Sequence, residues 1–400
     1  MDITLTSLEK EHSQLLSAKI AAEISSKGGW IPFSRYMEMA LYEPGYGYYS
    51  AGAHKLGGGG DFTTAPELSP LFGAAICSTL LPVLESLKEK GLPAQILEFG
   101  AGTGKLARSI LTRLQELGFV LDRYDIIEIS PDLAQRQKSL LTDTLNSKHC
   151  TTQCSWINSL TENYTGIILA NEVIDAIPFD VIIYQSGIWH WYGATLNDGK
   201  FSWKLGKPVE QNLLPDCLLS RDFSDGYVTE LHAPAHSWMR QVAQHLQTGL
   251  CLTFDYGFPE GEYYHPQRSE GTLMAHHRHH AIQDPFYFPG LCDLTTHVEW
   301  SQIARCALQE NADDVYLSNQ AAYLLDAGIA EIALELGDPS KPEIFLPISN
   351  ALQKLLSEAE MGELFKVFAF SKNLASLLPS NSLEDLPGLR ARNRLSYSGL

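Results

Sequence analysis

The seven cysteines (77, 150, 154, 217, 251, 292 and 306) are odd in number and form no Cys-x-x-Cys pair. They therefore read as reduced core or surface thiols of a cytosol-like compartment rather than as a disulfide framework. Basic residues are scarce, 29 against 47 acidic ones, for a net charge of −18. Phosphates would be repelled, so no nucleic acid is expected as a partner. No apolar run approaches the ~20 residues that cross a bilayer, so no membrane insertion is expected. Residues 1–25 lack the apolar centre of a secretory signal and the Arg-rich, acid-poor character of a transit peptide. A cytoplasmic location is the expectation. His276-His277-Arg278-His279-His280 has no carboxylate or cysteine at ligand spacing, and no metal is expected. There is no internal repeat and no low-complexity tract.

What is present suits an α/β protein. Strand-like runs at 94–99, 124–129, 166–171 and 250–255 are separated by helical segments, the alternation of a parallel sheet. Helices are predicted over 2–26, 34–41, about 69–88 and 105–117. Everything before the first sheet strand, residues 1–90, reads as an N-terminal helical cap. It includes the aromatic loop Pro44-Gly-Tyr-Gly-Tyr-Tyr49 and the glycine run 57–60. A core over 91–372 follows, with insertions at about 181–235, 256–292 and 319–361, and then a tail, 373–400. The first insertion starts as a β-meander, with turns at Ser186-Gly187 and Asn197-Asp198-Gly199. Its exposed edge makes a homodimer conceivable. The helical stretch 319–361 is expected to be an insertion or lid, and the last strands lie at 314–318 and 364–370.

The most telling segment is Glu98-Phe-Gly-Ala-Gly-Thr-Gly-Lys-Leu-Ala107, between a strand and an amphipathic helix. Gly100, Gly102 and Gly104 remove the Cβ atoms that would hold a ligand off the turn. The helix start offers free N–H groups. The dinucleotide register fails, since a third small residue would fall on Lys105, and no P-loop Gly-Lys-[Ser/Thr] follows. An acidic residue opening G-x-G-x-G suits S-adenosylmethionine, a cofactor with a sulfonium and an ammonium but no phosphate. Glu128, closing the next strand, is placed to accept both ribose hydroxyls, with Asp125 as the competing choice.

Asn171, Glu172 and Asp175 stand where the third strand ends, the edge at which parallel sheets bind ligands. Two acids and an amide suit a cationic group; Glu172 or Asp175 equally suits a helix cap. Asp255-Tyr-Gly257 either lines the same pocket or simply ends its strand. Asp61 to Glu67, with Thr63 and Thr64 as donors, either closes over the methionine end of a cofactor or caps the next helix. His297 reads as a hydrogen-bonded core residue.

Taken together, several segments resemble the MidA-like family, the mitochondrial complex I assembly methyltransferases and their bacterial relatives. The matching stretches are Tyr36-Met-Glu-Met-Ala-Leu-Tyr42, Gly45-Tyr-Gly-Tyr-Tyr49, Gly60-Asp-Phe-Thr-Thr-Ala-Pro-Glu67 and Leu97-Glu-Phe-Gly-Ala-Gly-Thr-Gly104. Ala170-Asn-Glu-Val-Ile-Asp175, Asp255-Tyr-Gly257, Asp293-Leu-Thr-Thr-His-Val298 and Met361-Gly-Glu-Leu-Phe-Lys366 follow in family order. The resemblance implies a class I S-adenosylmethionine-dependent methyltransferase with a Rossmann-like sheet. It also implies cofactor roles for Glu98, Gly100, Gly102, Gly104 and Glu128, and for Thr64 and Asn171. For the characterised mitochondrial branch it implies arginine methylation of a respiratory-complex subunit.

The expected chemistry is therefore methyl transfer to an arginine-bearing protein segment. Glu172 would be the acid that orients the guanidinium and takes its proton, with Asp175 in support. Two rival readings stand beside it: a small-molecule methyltransferase, and a cofactor-binding assembly factor without catalysis.

Overall fold

The computed structural model describes residues 5–51, 64–148, 150–278, 280–378 and 382–397. The glycine run 57–60, Asp61 to Thr63 and His279 lie outside the described residues.

Seven strands form the central sheet: β1 (Gln95–Phe99), β2 (Arg123–Ile127), β3 (Gln153–Ile157), β4 (Tyr164–Asn171), β5 (Leu246–Phe258), β6 (Asp314–Asn319) and β7 (Phe365–Lys372). Their order is β3-β2-β1-β4-β5-β7-β6, and β7 runs antiparallel to both of its neighbours. The two-residue strand Val298–Glu299 pairs in parallel beside the end of β5, off that order, as an eighth strand. Successive residues of β1 feed opposite cores: Ile96 packs on one face of the sheet and Leu97 on the other. Burial on both faces is why these strands read as apolar runs rather than as alternation.

Helices Leu71–Glu89, Lys105–Glu116 and Pro131–Lys148 contribute to the first face, and Ala233–His245 and Trp300–Gln309 to the second. The crossovers on the two sides of the β1/β4 pair therefore lie on opposite faces. Their divergence opens a crevice at the carboxyl ends of these strands.

The α/β architecture agrees with the expectation, and several boundaries are corrected. Helix Leu71–Glu89, assigned to the cap, packs into the sheet core because its apolar residues surround the helix. By length and composition it is also long and apolar enough to cross a membrane, contrary to the sequence reading, yet most of it is buried in the fold. The stretch expected as a lid folds as helices Gln320–Asp326, Ile329–Leu336 and Pro342–Leu356. Tyr323, Ile329, Ile332 and Leu355 bury it in the same core, so it forms the β6–β7 crossover layer. The tail is not loose either, since Leu374, Leu383, Leu386 and Leu389 are core residues. Strand β3 went unread because it is short, polar in part, and flanks the sheet at its edge.

The meander is a four-stranded antiparallel sheet of Asp180–Gln185, Ile188–Asn197, Lys200–Pro208 and Val228–Leu231. Its hairpins turn at Ser186-Gly187 (φ +53°, +81°) and Asp198-Gly199 (φ +48°, +74°), the left-handed pairs that match strand twist. Cap helices Ser7–Ser26 and Phe33–Tyr42 pack against it, with Phe33 stacked on Trp203 at 4.9 Å between ring centroids. A three-stranded sheet of Met274–His277, His280–Ile282 and Asp293–Thr295 joins the same apolar cluster. Cap, meander and the 256–292 insertion thus share one apolar cluster beside the mouth of the crevice.

Candidate active site

The crevice holds a cavity of about 600 Å³, within the usual range for a small-molecule site. Its wall includes Glu98, Gly100, Gly102, Glu128, Thr64, Asn171, Glu172 and Asp175, all expected from the sequence. Gly104 is not on the wall; it caps the following helix at φ +85°.

Gly100, Gly102 and Gly104 all have positive φ (59°, 52° and 85°), a backbone that other residues adopt at a cost of about 1 kcal/mol. At Gly100 space matters too, for a Cβ there would meet Val173 Cγ2 at 3.0 Å. The loop is held by Gly100 N donating to Ile127 O (2.9 Å) and Gly104 N donating to Ala101 O (2.8 Å). Lys105 and Thr103 both donate to Glu67. The one cation of the loop is thus paired, which argues against a phosphate.

Glu98 is buried and accepts from the Tyr124 hydroxyl at 2.7 Å. Burial pushes its carboxyl up to about 7, with Glu128 adding repulsion and the tyrosine opposing. Glu128 lies just past the end of β2 and accepts from Ser130 N and Gln137 Nε2, each at 2.9 Å. Burial raises its pKa, and these hydrogen bonds oppose the rise. Gln137 also donates to Gly102 O (2.8 Å) and accepts from Trp156 Nε1 (2.8 Å). It ties the glycine loop to the proposed ribose acid. Nothing in the sequence marked it, because a glutamine inside a helix looks like any solvated-face residue.

At the end of β4, Glu172 has a left-handed backbone (φ +52°), held by its N–H on Phe254 O at 2.8 Å. Asn171 Nδ2 donates to its carboxylate at 3.2 Å. Burial first, then Asp175 and Asp293, push the Glu172 carboxyl up to about 8 against hydrogen bonds from Asn171 and the Ala65 amide. Asp175 is buried, accepts from the Tyr256 hydroxyl, and has Oδ1 without a partner. Burial lifts it to about 6. Asp255 does not line the cavity: it accepts from Ile174 N (2.9 Å) and Asp175 N (3.1 Å), and so holds the corner in place.

The cap supplies the opposite wall. Tyr42 donates to Ala176 O at 2.7 Å and stacks on Tyr49, which donates to Asp293 at 2.8 Å. Thr64 starts the short helix Ala65–Leu68 without a side-chain cap bond. His297 is half-buried outside this cavity, and His277 Nδ1 bonds Leu291 O at 2.7 Å. Among the described residues no group of three His, Cys, Asp or Glu side chains is arranged for a metal ion.

Residues 75–317 match the family model described as "Putative S-adenosyl-L-methionine-dependent methyltransferase". The chain belongs to this family. The methyltransferase is also similar to a solved superfamily member from Burkholderia thailandensis bound to S-adenosyl-homocysteine. The two share 41% identity over 98% of this chain and 99% of that one, with a TM-score of 0.87. A second structure of such a protein from that organism gives 42% identity, the same coverage and a TM-score of 0.86. Among named relatives, the mitochondrial protein arginine methyltransferase NDUFAF7 of Danio rerio is 28% identical over 91% of this chain and 87% of its own length. That of Homo sapiens is 27% identical over 89% and 82%.

The cofactor is S-adenosylmethionine, and the site fits it chemically. Glycine-loop amides, the carboxylates of Glu98 and Glu128 and the unpartnered Asp175 oxygen suit a ligand with hydroxyls and two cationic centres. When bound, S-adenosylmethionine supplies an electrophilic methyl group that leaves sulfur as an acceptor atom takes it up.

Proposed function

We propose that this methyltransferase acts on an arginine side chain of a protein, with Glu172 as the acid that engages the guanidinium and Asp175 in support. The observation that carries the reading is the corner Asn171 to Asp175. It places two carboxyls side by side, one pushed up to about 8 and the other with an unpartnered buried oxygen. Such a corner is short of positive charge. The NDUFAF7 relatives, named as protein arginine methyltransferases, support the same acceptor.

Arginine stays protonated at neutral pH, with a pKa above about 12. A carboxylate pair binds the guanidinium fork, localises its charge and takes up the proton that nitrogen sheds as it gains the methyl group. Two cations at the corner draw Glu172 to its ionised form, which then serves as the base. Glu98, Glu128, Gly100, Gly102, Thr64 and Asn171 hold the cofactor, and Gly104 keeps the loop closed behind them.

The test uses methyl-labelled S-adenosylmethionine and extract from a strain lacking this protein. Acid hydrolysis of the labelled protein fraction is expected to yield methylarginine. Label confined to small molecules, or to another amino acid, would reject the arginine assignment.

A further inference from the structure

A second cavity of about 360 Å³ adjoins the first. It shares two wall residues with the cofactor cavity, Glu172 and Tyr256, and none of the glycine loop. The rest of its wall comes from strands Met274–His277 and Asp293–Thr295, from His297, from Leu68 of the cap, from Lys354 of helix Pro342–Leu356, and from the segment that leads into β7, which includes Glu360. This wall thus joins the 256–292 insertion to the end of the β6–β7 crossover. The volume is at the low end for ligand sites, and suits one long side chain.

The wall chemistry favours a planar cation. On this wall Tyr256 packs edge-on against His297 (5.4 Å between centroids) and Phe365 (5.3 Å). Aromatic faces of this kind attract a guanidinium more than they attract a hydrated ammonium. His297 Nδ1 is buried without a partner. Burial, with Arg268 and Lys366 nearby, holds the ring down to about 4, so it offers a neutral polar atom; of the charged wall residues besides Glu172, Lys354 is offset by Glu360. Among the described residues the carboxylate on the partition is Glu172, whose left-handed backbone is the kind of local strain that collects at functional sites. At the outer rim Met274 (39% exposed) and Leu364 (41% exposed) face solvent, where a polypeptide would lie.

We propose that this second cavity is the access channel for the acceptor, an arginine side chain of a polypeptide, which passes His297 and Tyr256 to reach Glu172. The proposal rests on the arginine reading above. It makes His297 a positioning residue and the Met274–Leu364 rim the place where acceptors are selected.

The test titrates ethylguanidine calorimetrically into the protein saturated with S-adenosylhomocysteine, with butylamine as the control. Ethylguanidine is expected to bind better than butylamine and to occupy the second cavity in crystals. In Met274→Trp and Leu364→Trp its affinity falls about tenfold, while affinity for S-adenosylhomocysteine stays within about twofold. The retained cofactor affinity shows that the variants are folded. If ethylguanidine binds both variants as it binds the wild type, the channel is wrong, and the arginine reading survives with another route. No binding to the wild type also overturns the proposal. The arginine reading is then judged separately, by methylarginine in the hydrolysate.

Discussion

Replacing Glu172 by glutamine removes the titration of one oxygen while keeping its size and its bond to Asn171. In the free enzyme the carboxyl is poised at about 8 by burial and by Asp175. About one-tenth of it is therefore ionised at pH 7 and about nine-tenths at pH 9, a rise of about tenfold. If the ionised form engages the acceptor, kcat/KM for S-adenosylmethionine follows that rise, because this parameter reports the free enzyme. A sulfonium nearby draws the carboxyl down, so the profile of the cofactor-loaded enzyme has its midpoint below 8. The Gln variant is expected to lose the rising limb and about 10²–10⁴-fold in rate, with S-adenosylhomocysteine affinity nearly unchanged. Stopped-assay turnover from pH 6 to 9.5 and calorimetry read both. A Gln variant that keeps wild-type turnover, or keeps the pH limb, would refute the assignment of Glu172 as the base.

Three further outcomes follow from the same geometry. Gln137→Leu leaves Gly102 O, a Glu128 oxygen and the Trp156 N–H unpaired, each worth ~1–3 kcal/mol. Cofactor affinity should drop at least about tenfold in calorimetry, and an unchanged Kd would remove Gln137 from the site. Gly100→Ala must adopt a positive φ and crowd Val173, so melting temperature and cofactor affinity should both fall, with a silent substitution contradicting the close-approach argument. Glu98, Asp175, Glu172 and Glu299 all have folded pKa values raised by burial, to about 7, 6, 8 and 8. Raised carboxyls give stability that is complete below their unfolded values and is lost as pH climbs through the folded ones. The cofactor-free protein should therefore melt lower at pH 8.5 than at pH 5. S-adenosylmethionine should restore more of that loss than S-adenosylhomocysteine does, and equal rescue would mean that the acids do not sense the sulfonium.

What could be read without coordinates was local. The glycine loop, the acids at strand ends, the hairpin turns and the β1, β2, β4 and β5 segments all follow from backbone sterics and short-range periodicity. These are properties of neighbouring residues. The same reading put Glu98, Glu128, Asn171, Glu172 and Asp175 on one cavity, because parallel strands present their carboxyl ends together. Only the tertiary structure could decide how remote segments meet. Tyr49 finds Asp293 across 244 residues, and Asp255 holds the Asp175 corner across 80. No periodicity spans such separations. The faces of long helical stretches were likewise undecided: 319–361 read as an insertion or lid and became a core layer, because its apolar residues meet helix Leu71–Glu89. Sequence set the chemistry available at each strand end; packing of the cap and the insertions decided what encloses it.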